Sequence, residues 1–123
     1  MSEHNELGKK GEEIAREYLQ KKGYKIIAHN WRFGKDEIDI IATNNNFLII
    51  VEVKTRRTNY FGEPETAVTQ KKQKFLIRAT QAYIEQKNVN TETRFDIIAI
   101  TVVSGKYRIN HIEDAFYPTI QMS

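Results

Sequence analysis

The chain has 123 residues, which suits a single domain (1–123, with an ordered core expected over about 5–117) able to bury roughly two-thirds of its unfolded surface. It holds no cysteine, which excludes disulfides, thiolate metal sites and cysteine nucleophiles. The net charge of +3 is mild, so the placement of the cations matters more than their excess, and the longest apolar run, Phe47 to Val51, is far too short to span a bilayer.

The N-terminus, Met-Ser-Glu-His-Asn-Glu, is polar and carries no leader pattern, so a soluble cytoplasmic protein without a membrane partner is expected. From about Asn5 to Lys22, Leu7, Gly11, Ile14, Ala15, Tyr18 and Leu19 recur at helical spacing on one stripe. Gly23 reads as the cap that ends this helix. Tyr24 to Asn30 reads as a first strand, Glu37 to Thr43 as a second and Phe47 to Thr55 as a third. Asn44-Asn45-Asn46 signals a tight hairpin, because Asn tolerates positive φ. Thr58 to Gly62 reads as a loop. Pro64 is the expected opening of a second helix running to about Gln86, with Val68, Phe75, Leu76, Ala79, Ala82 and Tyr83 on one face. Arg94 to Val103 and Tyr107 to Ile112 complete the set as two strands joined by a Ser104-Gly105 turn. The order α-β-β-β-α-β-β predicts an α/β fold, a mixed sheet with helices packed on it.

Two acidic clusters lie inside the apolar strands: Asp36-Glu37-Ile38-Asp39-Ile40-Ile41 and Val51-Glu52-Val53-Lys54. A carboxylate in such a setting is costly unless it is paired, hydrogen-bonded or bound to metal. Side chains alternate along a strand, so Glu52 and Lys54 share a face. An odd index sum between paired residues of the hairpin brings Asp39 to that face as well. A two-residue loop at Asn44-Asn45 has this property and sets Asp39 opposite Ile50, diagonal to Glu52. A three-residue loop separates the two carboxylates, barring a bulge. With the odd register, Asp39 and Glu52 can share a hard divalent cation such as Mg²⁺. Lys54, roughly 7 Å along the strand from Glu52, can orient the attacking water and offset phosphate charge. The competing reading is a local Glu52–Lys54 ion pair on an exposed face.

Both helices add a candidate. Lys72 emerges from the middle of the apolar stripe of the second helix, so it either snorkels to water or reaches a phosphate at the site. Lys74 and Arg78 fall on the flank and face solvent. On the first helix Glu12 is a boundary residue and Glu13 lies in solvent, so Glu12 is the one placed to assist.

Asp39 followed by Glu52-Val53-Lys54 resembles the PD-(D/E)XK nuclease superfamily, the restriction-endonuclease-like fold. More closely, the chain is similar to the small YraN-like family of uncharacterised bacterial proteins. The matching strings are Gly8-Lys9-Lys10-Gly11-Glu12 with Ala15, Tyr18-Leu19 and Gly23, then Asn30-Trp31-Arg32, Glu37-Ile38-Asp39-Ile40-Ile41 and Val51-Glu52-Val53-Lys54-Thr55-Arg56. Phe61-Gly62, Ala67-Val68, Lys72, Arg94-Phe95-Asp96 and His111-Ile112 with Ala115-Phe116 follow, so nearly the whole chain is covered. The resemblance implies a three-layer α/β/α fold with a central mixed sheet, related to archaeal Holliday-junction resolvases and type II restriction enzymes. In such proteins a helix-one Glu, a strand-two Asp and the Glu-X-Lys bind Mg²⁺ and cleave phosphodiesters. Carried over, these are Glu12, Asp39, Glu52 and Lys54. Glu12 also stands eleven residues before Gly23, as in resolvase-like sequences, and Lys72 matches a basic position on the following helix. One departure is Asp36, where the family has Gly before Glu-Ile-Asp.

The expectation is therefore a metal-dependent endonuclease acting on DNA, with branched or junction DNA among its candidate substrates. Asp39 and Glu52 hold Mg²⁺ or Mn²⁺, with Glu12 as a further ligand, direct or through water. Lys54 positions the water, and Arg32, Arg56 and Lys72 contact phosphates. Junction cleavage by relatives uses dimers, so a homodimer is an expectation for testing. The rivals are a nucleic-acid-binding protein that keeps the fold without turnover, and a domain whose carboxylates form a structural ion-pair network.

Overall fold

The computed structural model describes residues 3–58 and 68–118. The first helix, α1, covers Glu3–Lys21. Ile14, Ala15 and Leu19 form its buried stripe. Gly23 ends it with φ +94°, while the Gly23 N–H donates to Gln20 O and the Tyr24 N–H to Leu19 O, each at 3.0 Å. That pair of bonds is a Schellman cap, and it needs the left-handed backbone that glycine adopts at no steric cost.

Five strands follow: β1 (Lys25–Phe33), β2 (Asp36–Asn44), β3 (Phe47–Arg57), β4 (Glu92–Val103) and β5 (Lys106–Phe116), with α2 (Gln70–Lys87) between β3 and β4. They form one sheet in chain order. Neighbours are antiparallel except β3 and β4, which run parallel on either side of the α2 crossover. The element order and the mixed sheet match the sequence expectation. The strands run a few residues longer than expected, β1 as far as Phe33 and β5 as far as Phe116.

The β2–β3 turn corrects the predicted loop by one residue. Asn44 pairs with Phe47, so the turn residues are Asn45 and Asn46, with φ +51° and +66°. Positive φ at both positions matches a turn whose twist suits a hairpin. The index sum stays odd, but Ile40 now pairs with Val51. The ladder ends at that pair, and its register continued by one step would set Asp39 opposite Glu52 instead of diagonal to it.

The second correction concerns α2. It opens at Gln70, not near Pro64, because Thr69 caps it: the Thr69 hydroxyl accepts from the Lys72 N–H at 3.1 Å. The Gln73 amide closes the turn by donating to Val68 O at 2.9 Å. Val68 therefore precedes the helix instead of lying on its face. Pro64, Phe61-Gly62, Ala67 and most of the predicted loop from Thr58 lie outside the described residues.

Two apolar clusters divide the core. Ile14, Ala15 and Leu19 of α1 pack with Ile40, Ala42, Ile49, Val51, Ile98 and Ile100. Leu76, Ala79 and Tyr83 of α2 pack with Ile38, Ile41, Leu48, Ile50 and Phe95. β3 alternates regularly between the two, so Glu52 belongs to the α2 side. β2 does not alternate throughout. Ile38 joins the α2 cluster and Ile40 the α1 cluster, although residues two apart on a regular strand share a face. The break falls at Asp39. Its neighbour across the β1–β2 ladder is Asn30, between the pairs His29–Ile40 and Trp31–Ile38, and Asn30 is left-handed with φ +51°.

Helix α1 approaches β3 closely at Gly11, where a Cβ would collide with the Thr55 side chain. Gly11→Ala is expected to cost about 1–3 kcal/mol, as for other overpacked contacts, read as a lower urea midpoint with an unchanged slope.

On the α1 side, Asp96 is buried at the start of the β4 core, with 1 % of its surface exposed. Arg94 grips it with two bonds, from Nε at 2.9 Å and Nη2 at 2.8 Å. His111 Nε2–H donates at 2.7 Å and the Asp114 N–H at 3.0 Å. Arg94 also donates to the Tyr24 hydroxyl at 2.7 Å, and His111 Nδ1 lies 3.1 Å from the Tyr18 hydroxyl. The network ties β4 and β5 to α1, and every member has partners.

Candidate active site

The site grows from the place where β2 and β3 stop pairing. The last ladder pair is Ile40–Val51. Beyond it the Asp39 carboxylate takes over as a ladder partner, with Oδ2 accepting from the Val53 N–H at 2.8 Å. The side chain is thereby anchored between the strands and directed at Glu52, and the two carboxyl groups are in hydrogen-bonding contact.

This pairing is electrostatically unfavourable. Burial and then the charge of Glu52 push the Asp39 carboxyl up to about 8, against the Val53 bond that lowers it; Glu12 adds a smaller upward push. Burial also raises Glu52, against the lowering influence of Lys72. Two carboxyls in one desolvated site cannot both ionise cheaply. Glu52 Oε1 is buried and reached by no protein donor; among the described residues Thr80 Oγ1 is the other such side-chain atom. An orphaned carboxylate oxygen beside a second carboxyl suits a cation. An all-oxygen donor set suits a hard one, which takes one or two carboxylates and completes its shell with water and phosphate.

The structure disposes the other sequence candidates unequally. Lys72 is partly buried, with Nζ 3.9 Å from Glu52 and 3.5 Å from Asp36. It points into the site from the first turn of α2, where the helix dipole disfavours a cation. Lys54 and Arg56 follow Glu52 on the same face. With Glu52, Ala99 and Thr101 they line a cleft of about 350 Å³ at the carboxyl ends of the parallel pair β3 and β4, where open α/β sheets place ligands. Glu12 stands on the α1 side. Its Oε1 accepts from the Asn30 amide at 2.8 Å, and both line a hollow of about 470 Å³ with Lys9, Arg16 and His29. Glu13 is exposed and pairs with Lys10. Arg32 is exposed on β1 and pairs with Glu37 at 3.3 Å, with no contact to the carboxyl pair. Among the described residues no group of three His, Cys, Asp or Glu side chains is arranged to hold a metal ion. The carboxylates that meet are Asp39 and Glu52.

One residue of the site escaped the sequence reading, and a second was marked there only as a departure from the family pattern. Asn30 both breaks the β1 ladder and holds Glu12. Its signal was an Asn inside an apolar strand, where Asn takes left-handed backbone more readily than other residues. Asp36 extends the carboxyl pair through Lys72, and the same departure from Gly that marked it in the sequence supplies that charge.

A model of the uncharacterised protein family UPF0102 matches residues 11–100. A UPF0102 protein of Phocaeicola vulgatus is 51% identical over 120 residues, 98% of this chain and 99% of the relative. One from Flavobacterium psychrophilum is 50% identical over 117 residues, 95% and 98% of the two chains. One from Bacteroides thetaiotaomicron is 48% identical over 120 residues, 98% and 99%.

Proposed function

The chain belongs to the uncharacterised protein family UPF0102, the YraN-like proteins, and from the site geometry we propose that it is a metal-dependent endonuclease that hydrolyses phosphodiester bonds in DNA. The observation that carries this reading is the Asp39–Glu52 pair: two carboxyls in contact, one anchored by Val53 N–H, the other with a buried oxygen that no donor reaches. The sheet with α1 and α2 packed on separate clusters is read as the three-layer restriction-endonuclease-like fold of the PD-(D/E)XK superfamily.

Asp39 and Glu52 would hold Mg²⁺ or Mn²⁺, which would supply Lewis-acid activation of the phosphoryl group and of water. Glu12, held by Asn30 on the other side, acts through water. Lys54 lies along the strand from Glu52 in the open cleft, placed to orient the water and to offset charge on the phosphate. Lys72, 3.9 Å from Glu52, offsets part of its charge in the protein without metal and would contact phosphate beside a bound cation. Arg56 extends the cationic lining of the cleft. Arg32, committed to Glu37, contributes at most to a more distant backbone contact.

Lys54→Ala separates this reading from a binding protein that keeps the fold without turnover. Cleavage of a panel of linear, flapped and four-way DNA is expected to fall about a hundred-fold or more. Affinity for the same DNA, measured by fluorescence anisotropy, should stay within a few-fold. A wild-type protein that binds the panel with divalent-independent affinity and cuts none of it would favour the binding reading.

A further inference from the structure

A second cleft, of about 320 Å³, lies between the tip of the β1–β2 hairpin and α2, lined by Phe33, Gly34, Lys35, Asp36, Phe75 and Arg78. Its walls are aromatic. Phe33 and Phe75 are half-buried and face each other at 6.2 Å with their planes tilted by 51°. Trp31 backs Phe33 in a near-parallel stack, 6.4 Å between centroids and 10° between planes, and is itself braced edge-on by Tyr83 at 5.3 Å. The rim is cationic, with Lys35 and Arg78 exposed. Asp36 is engaged, accepting from the Glu37 N–H at 3.0 Å and paired with Lys72.

Lys72 joins this cleft to the carboxyl pair. Its Nζ lies over the Phe75 ring at 5.2 Å and 3.9 Å from Glu52. We infer that the cleft takes one unpaired base of a nucleic-acid strand against Phe33 and Phe75, with the adjoining phosphate on Arg78 and Lys35. Proteins that hold single strands combine aromatic platforms with cations that track the backbone, and every base offers a π-face to such a platform. A fully paired duplex keeps its base faces stacked and cannot enter. The identity of the ligand rests on the phosphodiesterase reading above, which it narrows to substrates with an unpaired stretch beside the scissile bond.

The test measures binding in EDTA, so its outcome does not depend on cleavage. Labelled probes are a short single strand, the blunt duplex of the same sequence, and a strand of abasic residues. The wild type should prefer the single strand. Phe33→Leu, which keeps the apolar packing, and Arg78→Glu, at an exposed position, should each weaken single-strand binding by about ten-fold. The duplex should be unaffected by Phe33→Leu, and the abasic strand should bind wild type and Phe33→Leu alike. Equal affinity of the wild type for single strand and duplex, or equal loss on all three probes, would overturn the inference, as would no binding of the single strand. A failed phosphodiesterase reading would show instead as intact single-strand binding with no cleavage under Mg²⁺.

Discussion

Asp39→Asn is expected to lower DNA cleavage by at least about a hundred-fold and, without metal, to make the protein more stable at pH 8. Loss of one carboxylate from a two-carboxylate site would remove the anchored half of the proposed cation's ligand set. The stability effect follows from the raised Asp39 pKa. Its carboxyl is pushed up to about 8 in the fold, whereas an unfolded Asp titrates near 3.9. Between those values the folded state holds more protons than the unfolded state. Stability is therefore fully present below the lower value and is lost as pH rises towards about 8. Burial raises Glu52 in the same direction. Urea titrations in EDTA from pH 5 to pH 9 should show the wild type falling with pH and Asp39→Asn falling less. A variant that melts in parallel with the wild type across that range would mean that the carboxyl pair is not strained.

The second large effect is structural and has the opposite pH sign. Asp96→Ala is expected to cost about 3–5 kcal/mol, because the partly buried Arg94 guanidinium loses its two-bond partner and keeps only the 3.6 Å ion pair with the more exposed Glu113. His111 and the Asp114 N–H lose their acceptor as well. Burial opposes the Asp96 charge, but the bonds from His111 and Arg94 outweigh it together and hold the carboxyl below its usual range. Stability from this group is present above the unfolded carboxylate pKa and is lost as pH falls through the lower folded value. Asp96→Asn should thus remove part of the wild type's acid sensitivity below about pH 4. A urea midpoint for Asp96→Ala within error of the wild type would show that the network contributes nothing.

These two carboxylates show where sequence reasoning reached and where it stopped. The rule that singled out Asp39 and Glu52, a charge inside an apolar strand, applies equally to Asp96 in Phe95-Asp96-Ile97-Ile98. Sequence could not separate an acid compensated by its neighbours from one left strained. Arg94 lies two residues away, but His111 arrives from β5 and Tyr24 from the turn between α1 and β1. The hairpin parity was legible because alternation and turn length constrain each other, and a one-residue shift of the turn kept the sum odd. The left-handed Asn30 and the broken alternation at Asp39 were not, because they depend on β1 lying beside β2. The second helix was placed too early because Pro64 was read as its opening, whereas the observed cap is the Thr69 hydroxyl. Lys72 was readable from the helical wheel, and Glu12 over Glu13 likewise. What holds Glu12 in place, the Asn30 amide, is a tertiary contact that no local pattern announces.

The central claim is that Asp39 and Glu52 form a divalent-cation site, and thermal melting at pH 8 with and without MgCl₂ or MnCl₂ tests it without a substrate. At about a hundred-fold excess over Kd a bound ion adds about 2.7 kcal/mol, a rise on the order of 10 °C for a domain of this size. The wild type should show that rise, Asp39→Asn and Glu52→Gln should not, and Glu13→Gln should behave as the wild type. A wild type that melts at the same temperature with and without the ion, or variants that gain as much as the wild type, would contradict it.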